Sequence, residues 1–273
     1  MPAPDAATTP VPVICDLDGV VWLADHAIEG AAEAIARLRA AGHRVLFVSN
    51  NSAVRLAEVA AKLERFGIPG HDDVLTSALA AAQLVEPGQR VLLCAGEGAA
   101  EALVARGAVL VGGGDVGGGD GHVDAVVVGF HRTFSYEGLR RAAVAVRRGA
   151  RLIATNDDAT YPTPDGPIPG GGAILAAVET GAGVRATVAG KPYEPMAALV
   201  RATLGSDVTR AVMVGDRSDT DGRFAVTLGC AFALVLTGVT RPEDLPIEPK
   251  PTSIHADLGA LVGDLLGSAP DQP

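Results

Sequence analysis

The chain has 273 residues, and its 22 lysines and arginines stand against 32 aspartates and glutamates, which gives a net charge of −10 at pH 7. No basic cluster offsets this charge, so the sequence argues against nucleic acid and anionic membrane surfaces as partners. Apolar residues make up 48% of the chain, but no apolar run reaches the ~18 residues that a membrane-spanning helix needs. We therefore expect a soluble globular protein of one or two domains.

The cysteines also limit the class of protein. Cys15, Cys94 and Cys230 are odd in number and follow no CxxC or Cys/His metal-binding spacing, so we do not expect a disulfide framework. The first residues show neither the basic nor the apolar region of a secretory signal. These features favour a cytoplasmic protein.

Short apolar segments alternate with segments of helical periodicity along the chain, which is typical of parallel strands joined by helices. The alternation predicts an α/β fold whose parallel sheet is covered on both faces. In the outer parts of the chain, the predicted strands are residues 11–15, 44–48, 210–214 and 231–236. The predicted helices there are residues 28–38, 56–66, 196–204 and 219–228.

The middle of the chain repeats the alternation, with predicted strands at residues 90–94, 109–111, 123–128 and 151–154. We interpret residues 79–184 as a second α/β domain, inserted into a core domain made of residues 11–78 and 185–267. Two glycine-rich segments of the insertion could be mistaken for ligand sites. Residues 112–121 lack the continuing period of a calcium-binding repeat, so we predict a surface loop. Residues 96–101 lack the third glycine of a dinucleotide fingerprint, so we predict a turn.

Polar side chains follow three predicted strands at the points where the strands end. These side chains are Asp16, Asp18, Ser49, Asp216 and Asp221. Because the carboxyl ends of parallel strands share one edge of a sheet, where ligands bind in such folds, we expect these side chains to gather there. Gly19 follows the first two carboxylates and permits a tight turn.

A group of carboxylates needs a compensating charge. Two carboxylates about 4 Å apart repel each other by roughly 4 kcal/mol at an effective dielectric constant of 20, so the group must bind protons or a cation. Carboxylate oxygens without histidine or cysteine favour Mg²⁺. A bound dication beside serine and asparagine donors forms a phosphate site. The sequence therefore predicts a magnesium and phosphate site.

The motifs and their order resemble those of the haloacid dehalogenase (HAD) superfamily, over most of the chain. The matching segments are Asp16-Leu17-Asp18-Gly19-Val20, Ser49 in Ser-Asn-Asn, Lys191 in Gly-Lys-Pro, and Gly215-Asp216 with Thr220-Asp221. The insertion stands where subfamily IIA carries an α/β cap of the C2 type. Members of that subfamily include nitrophenyl-, phosphoglycolate- and glycerol-phosphate phosphatases.

The resemblance implies a Rossmannoid core with a cap, and a role for each site residue. Asp16 is implied as the nucleophile that forms an aspartyl-phosphate, and Asp18 as the acid and base toward the leaving oxygen and water. Phosphate or substrate binding is implied for Ser49, Asn50, Lys191 and Gly19. Ligation of Mg²⁺ is implied for Asp16, the backbone carbonyl of Asp18, and Asp216, with Asp221 supporting these ligands.

We therefore expect a Mg²⁺-dependent phosphatase that hydrolyses small phosphomonoesters through an aspartyl-phosphate. Candidate substrates are glycerol phosphate, phosphoglycolate, nucleoside monophosphates and p-nitrophenyl phosphate. The expected partner is a small phosphorylated metabolite, with homodimerisation through the insertion as a further expectation. The alternative is a non-catalytic phosphoryl-sensing or assembly protein on the same fold. A long-lived aspartyl-phosphate would favour that alternative, whereas an efficient base at Asp18 argues against it.

Overall fold

A computed structural model describes residues 10–70, 73–112, 122–161, 163 and 166–267. The predicted loop at residues 112–121 therefore lies outside the described residues, except for Gly112. The strands are β1 (Val13–Cys15), β2 (Trp22–Leu23), β3 (His26–Ala27), β4 (Val45–Ser49), β5 (Val74–Thr76), β6 (Arg90–Cys94), β7 (Val109–Val111), β8 (Ala125–Val128), β9 (Arg151–Ala154), β10 (Thr160–Tyr161), β11 (Ile168–Pro169), β12 (Thr187–Val188), β13 (Val212–Gly215), β14 (Ala231–Val235) and β15 (Ser253–His255).

The helices are α1 (Ala31–Ala40), α2 (Leu56–Arg65), α3 (Ser77–Ala82), α4 (Glu97–Ala105), α5 (Tyr136–Arg147), α6 (Gly171–Ala182), α7 (Glu194–Leu204), α8 (Arg223–Leu228) and α9 (Leu258–Leu265). Within the described part of the chain, no helix combines the length and the apolar composition that crossing a bilayer requires.

The chain divides into two compact units. Unit 1 consists of Met1–Phe47, Phe66–Ile68 and Thr203–Pro273, and unit 2 consists of Val48–Arg65 and Pro69–Ala202. The core and insertion boundaries expected from the sequence stay a prediction.

Unit 1 is built on parallel strands in the order β15, β14, β13, β1, β4. In this register Ile14 of β1 lies between Leu46 of β4 and Met213 of β13. All three residues of β1 are buried, as expected for a strand with helices on both faces of its sheet. The carboxyl ends of β1 and β13 therefore emerge side by side.

Helix α1 shows why its sequence forms a helix in unit 1. Ala31, Ala34, Ile35 and Leu38 are buried, and their spacing of three and four residues places them on one face. The expected helix at residues 219–228 is different, because α8 begins only at Arg223 and is preceded by a π-helical turn, Ser218–Gly222.

Unit 2 contains a second parallel sheet, with the strand order β12, β9, β8, β6, β7. Buried side chains of β6, β8 and β9 pack with those of α5 and α6 in one apolar core. The turn expected at residues 96–101 is wrong, because Glu97 begins helix α4 after Gly96. The start of this helix is stabilised by contacts that are distant in sequence. Its first amides, Gly98 N and Ala99 N, donate to Ala53 O and Ser52 O. The parallel sheets and helices of the two units confirm the predicted α/β class.

Candidate active site

Asp16 follows β1 directly, and its backbone and side chain are both held in place. Its amide donates to Val214 O at 2.9 Å, which continues the pairing of β1 with β13. Its Oδ1 accepts a hydrogen bond from Leu17 N at 2.8 Å. The residue is only 8% exposed, so the carboxylate is positioned in a largely buried place at the end of the strand.

Three carboxylates meet at this end of unit 1. Asp16, Asp216 and Asp221 are all buried, and each contributes an oxygen that lies within 4.8 Å of those of the other two. Asp216 Oδ2 accepts from Val239 N at 2.6 Å, and Asp221 Oδ2 accepts from Arg217 N at 3.2 Å. Three oxygen donors of this kind suit a hard dication such as Mg²⁺. The structure therefore brings Asp221 into the same group as the two aspartates expected to bind metal.

The π-helical turn explains how Asp221 reaches this group. Turns of this type are wider than an α-helical turn and occur often at functional sites. Here the turn closes with Asp221 N and Gly222 N both donating to Arg217 O. Asp221 is fully buried as a result, with 0% exposure.

The side chain of Asp18 is held by an aromatic neighbour. Its Oδ1 accepts a hydrogen bond from Trp22 Nε1 at 2.9 Å. Gly19 N donates to Trp22 O at 2.7 Å, which closes the turn after the two aspartates. The carboxylate of Asp18 thus has a defined direction, separate from the expected use of its backbone carbonyl as a metal ligand.

Two glycines lie against the Asp216 carboxylate. Gly19 has a φ of +87°, and a Cβ there would lie 2.4 Å from Asp216 Oδ2. A Cβ at Gly238 would lie 2.0 Å from the same oxygen. Any larger residue at either position would displace Asp216. The structure therefore places Gly19 against the acidic group.

Trp22 and Gly238 are site residues that sequence reasoning missed. Trp22 is the single tryptophan of the chain and stands four residues after Asp18, which was a signal for a structural role. Gly238 follows the end of β14, so the reasoning that identified the ends of β1 and β13 could also have identified this loop.

Asp219 is engaged by a basic neighbour. The guanidinium of Arg217 donates to both of its carboxylate oxygens, at 3.1 and 2.9 Å. These hydrogen bonds hold the pKa of Asp219 below its ordinary value, while partial burial acts in the opposite direction. Asp219 is thus an ionised partner of Arg217.

The remaining expected site residues lie in unit 2. Ser49 is the last residue of β4 and is buried, and its Oγ accepts from Asn51 N at 3.1 Å. Lys191 is only 1% exposed. Its backbone N donates to Asn50 Oδ1 at 2.7 Å, and its backbone O accepts from Asn50 Nδ2 at 3.0 Å. The structure therefore joins Asn50 and Lys191 across 141 positions of sequence.

Comparisons with known proteins identify the family. Residues 13–108 match the model of a haloacid dehalogenase-like hydrolase family, and residues 188–261 match a second HAD-hydrolase-like model. An acid sugar phosphatase from Staphylococcus saprophyticus is 37% identical over 259 residues, which cover 92% of this chain and 96% of that protein. The chain belongs to the haloacid dehalogenase-like hydrolases.

Solved structures of other HAD-like hydrolases resemble it closely. A p-nitrophenyl phosphatase from Archaeoglobus fulgidus superposes with a TM-score of 0.86 at 32% identity, covering 93% of this chain and 99% of that one. A glycerol phosphate phosphatase from Mycobacterium tuberculosis in complex with magnesium gives a TM-score of 0.81 at 37% identity, covering 92% and 75%. The named relatives are thus phosphatases whose chains match this one over most of its length.

Proposed function

We propose that this HAD-like hydrolase is a Mg²⁺-dependent phosphatase of small phosphomonoesters. The observation that carries the proposal is the buried group of Asp16, Asp216 and Asp221, which needs a cation and lies where parallel strands end. The phosphatase names of the relatives, which include an acid sugar phosphatase and a glycerol phosphate phosphatase, support the same activity.

The donor set fits magnesium. Asp16, Asp216 and the backbone carbonyl of Asp18 would hold the ion, with Asp221 completing the acidic group around it. When bound, Mg²⁺ supplies positive charge that compensates the carboxylates and the phosphate oxygens. The magnesium complex of the Mycobacterium tuberculosis relative supports this choice of ion.

Asp16 and Asp18 would carry the covalent chemistry. A carboxylate oxygen of Asp16 forms a bond to phosphorus while the bond from phosphorus to the ester oxygen breaks. Asp18 gives its proton to that leaving oxygen and then accepts a proton from the water that hydrolyses the aspartyl-phosphate. The hydrogen bond from Trp22 Nε1 to Asp18 Oδ1 holds the acid in one direction throughout.

The residues of unit 2 would bind the phosphoryl group. The hydroxyl of Ser49, the Asn50 residue and the ammonium of Lys191 are donors to phosphate oxygens in this proposal. Gly19 of unit 1 is also proposed to bind the phosphoryl group through its backbone. The burial of Ser49 and Lys191 supports it, because buried donors are worth more to an anion than donors in water.

The inserted residues, the oligomeric state and the location of the protein complete the proposed function. Residues 79–184 would act as the cap that selects substrates, and the parallel strands β6 to β9 with the apolar core that they share with α5 and α6 support this role. Homodimerisation through this cap would appear as a dimer in sedimentation of the full chain. A cytoplasmic location fits the three cysteines, which follow no disulfide spacing.

The replacement Asp16→Asn tests the function. We expect phosphate release from p-nitrophenyl phosphate to fall at least about a thousandfold, because the amide is a poor nucleophile. EDTA should abolish wild-type turnover and Mg²⁺ should restore it. Asp207→Asn, an exposed position with a long 3.9 Å ion pair to Arg210, is the matched control and should keep full activity.

Undiminished turnover in Asp16→Asn would contradict the proposal. A wild-type protein that holds phosphate on Asp16 for many minutes in the presence of Mg²⁺ would favour the sensing alternative instead. A panel of glycerol phosphate, phosphoglycolate, sugar phosphates and nucleoside monophosphates would then define the substrate class.

A further inference from the structure

The carboxamide of Asn50 lies at the centre of a hydrogen-bond network within unit 2. Its Nδ2 donates to Lys191 O and to Asp158 Oδ2, both at 3.0 Å, and its Oδ1 accepts from Lys191 N at 2.7 Å. A carboxamide nitrogen has two hydrogens, so both are used by these contacts. The side-chain amide of Asn50 is therefore committed to protein partners.

The three contacts require one orientation of the carboxamide. Lys191 N needs an oxygen opposite it, whereas Lys191 O and the Asp158 carboxylate need hydrogen-bond donors. Asp158 supplies one of these contacts from a segment 108 positions away in sequence. Without that carboxylate one Nδ2 hydrogen loses its acceptor, and the carboxamide is held by its two contacts with Lys191 alone, so its position is less firmly fixed.

A separate pair of contacts holds the backbone of Asn50. Its carbonyl accepts from Asn156 Nδ2 at 2.7 Å and from Ser77 Oγ at 2.6 Å. Asn156 Oδ1 also accepts from Asp158 N at 3.2 Å. Asn156 and Ser77 thus hold the backbone at Asn50. Asp158 instead contacts the Asn50 side chain, which hydrogen-bonds to the backbone of Lys191.

We propose that Asp158 is a positioning residue for Lys191 and acts through the Asn50 carboxamide. Lys191 is buried and its side chain begins at the backbone that Asn50 holds on both its N–H and its C=O. A small rotation there moves the ammonium at the end of a four-carbon chain by a larger distance. The inference rests on the proposed function, in which that ammonium binds the phosphoryl group.

The test is a double-mutant cycle of Asp158→Ala and Asn50→Ala, measured as kcat/KM for p-nitrophenyl phosphate. In each single variant kcat/KM should fall about tenfold to a hundredfold, the range typical of residues that orient a ligand-binding side chain. Because both act on one contact, Asp158→Ala should cost less than about twofold in the Asn50→Ala background. Asp158→Asn can still present an oxygen to Asn50 Nδ2 and should stay within about threefold of the wild type.

Inorganic phosphate provides a readout that is independent of turnover. In calorimetric titrations with Mg²⁺ present, Asp158→Ala and Asn50→Ala should weaken phosphate binding by similar factors. Glu137→Gln, which removes an exposed partner of Arg140 in the same unit, is the charge control and should change neither quantity. Melting curves identify a variant that fails to fold, and the Asp158→Asn comparison with the wild type then decides the question.

Losses that multiply in the double variant would overturn the proposal, because they would show that Asp158 acts without Asn50. Full activity of Asp158→Ala would overturn it too, as would a large loss in a folded Asp158→Asn. If instead the wild type hydrolyses no phosphomonoester, the proposed function fails while the phosphate titrations still report on the role of Asp158.

Discussion

The acidic group of unit 1 and the carboxamide network of unit 2 are built on opposite principles. Asp16, Asp216 and Asp221 bring like charges within 4.8 Å of one another in a buried place, which is unfavourable unless a cation joins them. Asn50 pairs its donors and acceptor with Lys191 and Asp158, which is favourable in the protein alone. The repulsion within the acidic group therefore indicates a site for a cation. The paired donors and acceptors around Asn50 indicate instead that the network holds the backbone of Lys191 in position.

The largest expected effect is that of Asp216→Asn, which removes part of the repulsion within the acidic group. It removes one of three repelling charges while its remaining oxygen can still accept from Val239 N, so the metal-free variant should melt above the metal-free wild type. Mg²⁺ should stabilise the wild type, because an ion that binds only the folded state raises its stability, and should leave the variant nearly unchanged. Turnover of p-nitrophenyl phosphate should fall at least about a thousandfold.

Thermal denaturation with EDTA or with Mg²⁺ makes this measurement for both proteins. Equal stabilisation of both by Mg²⁺ would show that Asp216 is not a ligand. A metal-free variant that melts well below the metal-free wild type would show that the acidic group is not strained.

Lys191→Met tests the network of unit 2 by removing the ammonium while keeping the backbone contacts. The unbranched apolar side chain suits a position that is 1% exposed, and the backbone contacts to Asn50 do not depend on the side chain. We expect kcat/KM to fall about a hundredfold, because a buried donor to the transition state is lost. Stabilisation by Mg²⁺ should persist, and its disappearance would show that the two groups do not act separately.

The sequence predicted the acidic group better than the network for a physical reason. Asp16 and Asp216 follow apolar strands directly, and parallel strands bring their carboxyl ends together whatever the rest of the chain does. The contact of Asn50 with Asp158 depends instead on how loops far apart in sequence fold against each other. No local pattern marks such a contact.

Elsewhere in the chain, too, elements defined by local sequence were predicted, and features that depend on tertiary contacts were not. The strands at residues 90–94, 109–111 and 151–154 coincide with β6, β7 and β9 because apolar runs define them. Helix α4 was missed because its first turn is stabilised by carbonyls of residues 52 and 53. Gly238 was missed because its close approach to Asp216 is a tertiary contact.

The smallest predicted effect comes from two thiols, the buried Cys94 in unit 2 and the partly buried Cys230 in unit 1. Burial raises the pKa of Cys94 in unit 2, and of Cys230 in unit 1, to about 11. A raised pKa means that the unfolded chain ionises first as the pH rises, so this contribution to stability is complete below pH ~9 and lost toward pH ~11. Each thiol should therefore make the free energy of unfolding fall over this interval.

Cys94→Ala should reduce that fall by about 2 kcal/mol between pH 8 and pH 11, since each pKa unit corresponds to about 1.4 kcal/mol and a thiol with a pKa of about 11 is only half ionised at pH 11. Urea denaturation at pH 8, 9, 10 and 11 measures the slope, which is unaffected by the constant cost of the smaller side chain. Cys230→Ala makes the corresponding measurement for unit 1. Identical slopes in the wild type and in Cys94→Ala would mean that the thiol is ionised in the folded protein at its ordinary pKa.

The π-helical turn at Ser218–Gly222 holds one residue more than a regular helical turn would. Its Gly222 N donates to Arg217 O five positions back, whereas an α-helix pairs residues four positions apart. Deleting one residue would therefore let a regular turn form with little rotation of α8, so Phe224 and Leu228 should stay buried in unit 1. Asp221, which the wider turn brings to the acidic group, should move away from it, so a single-residue deletion here should impair Mg²⁺ binding and turnover without unfolding the protein.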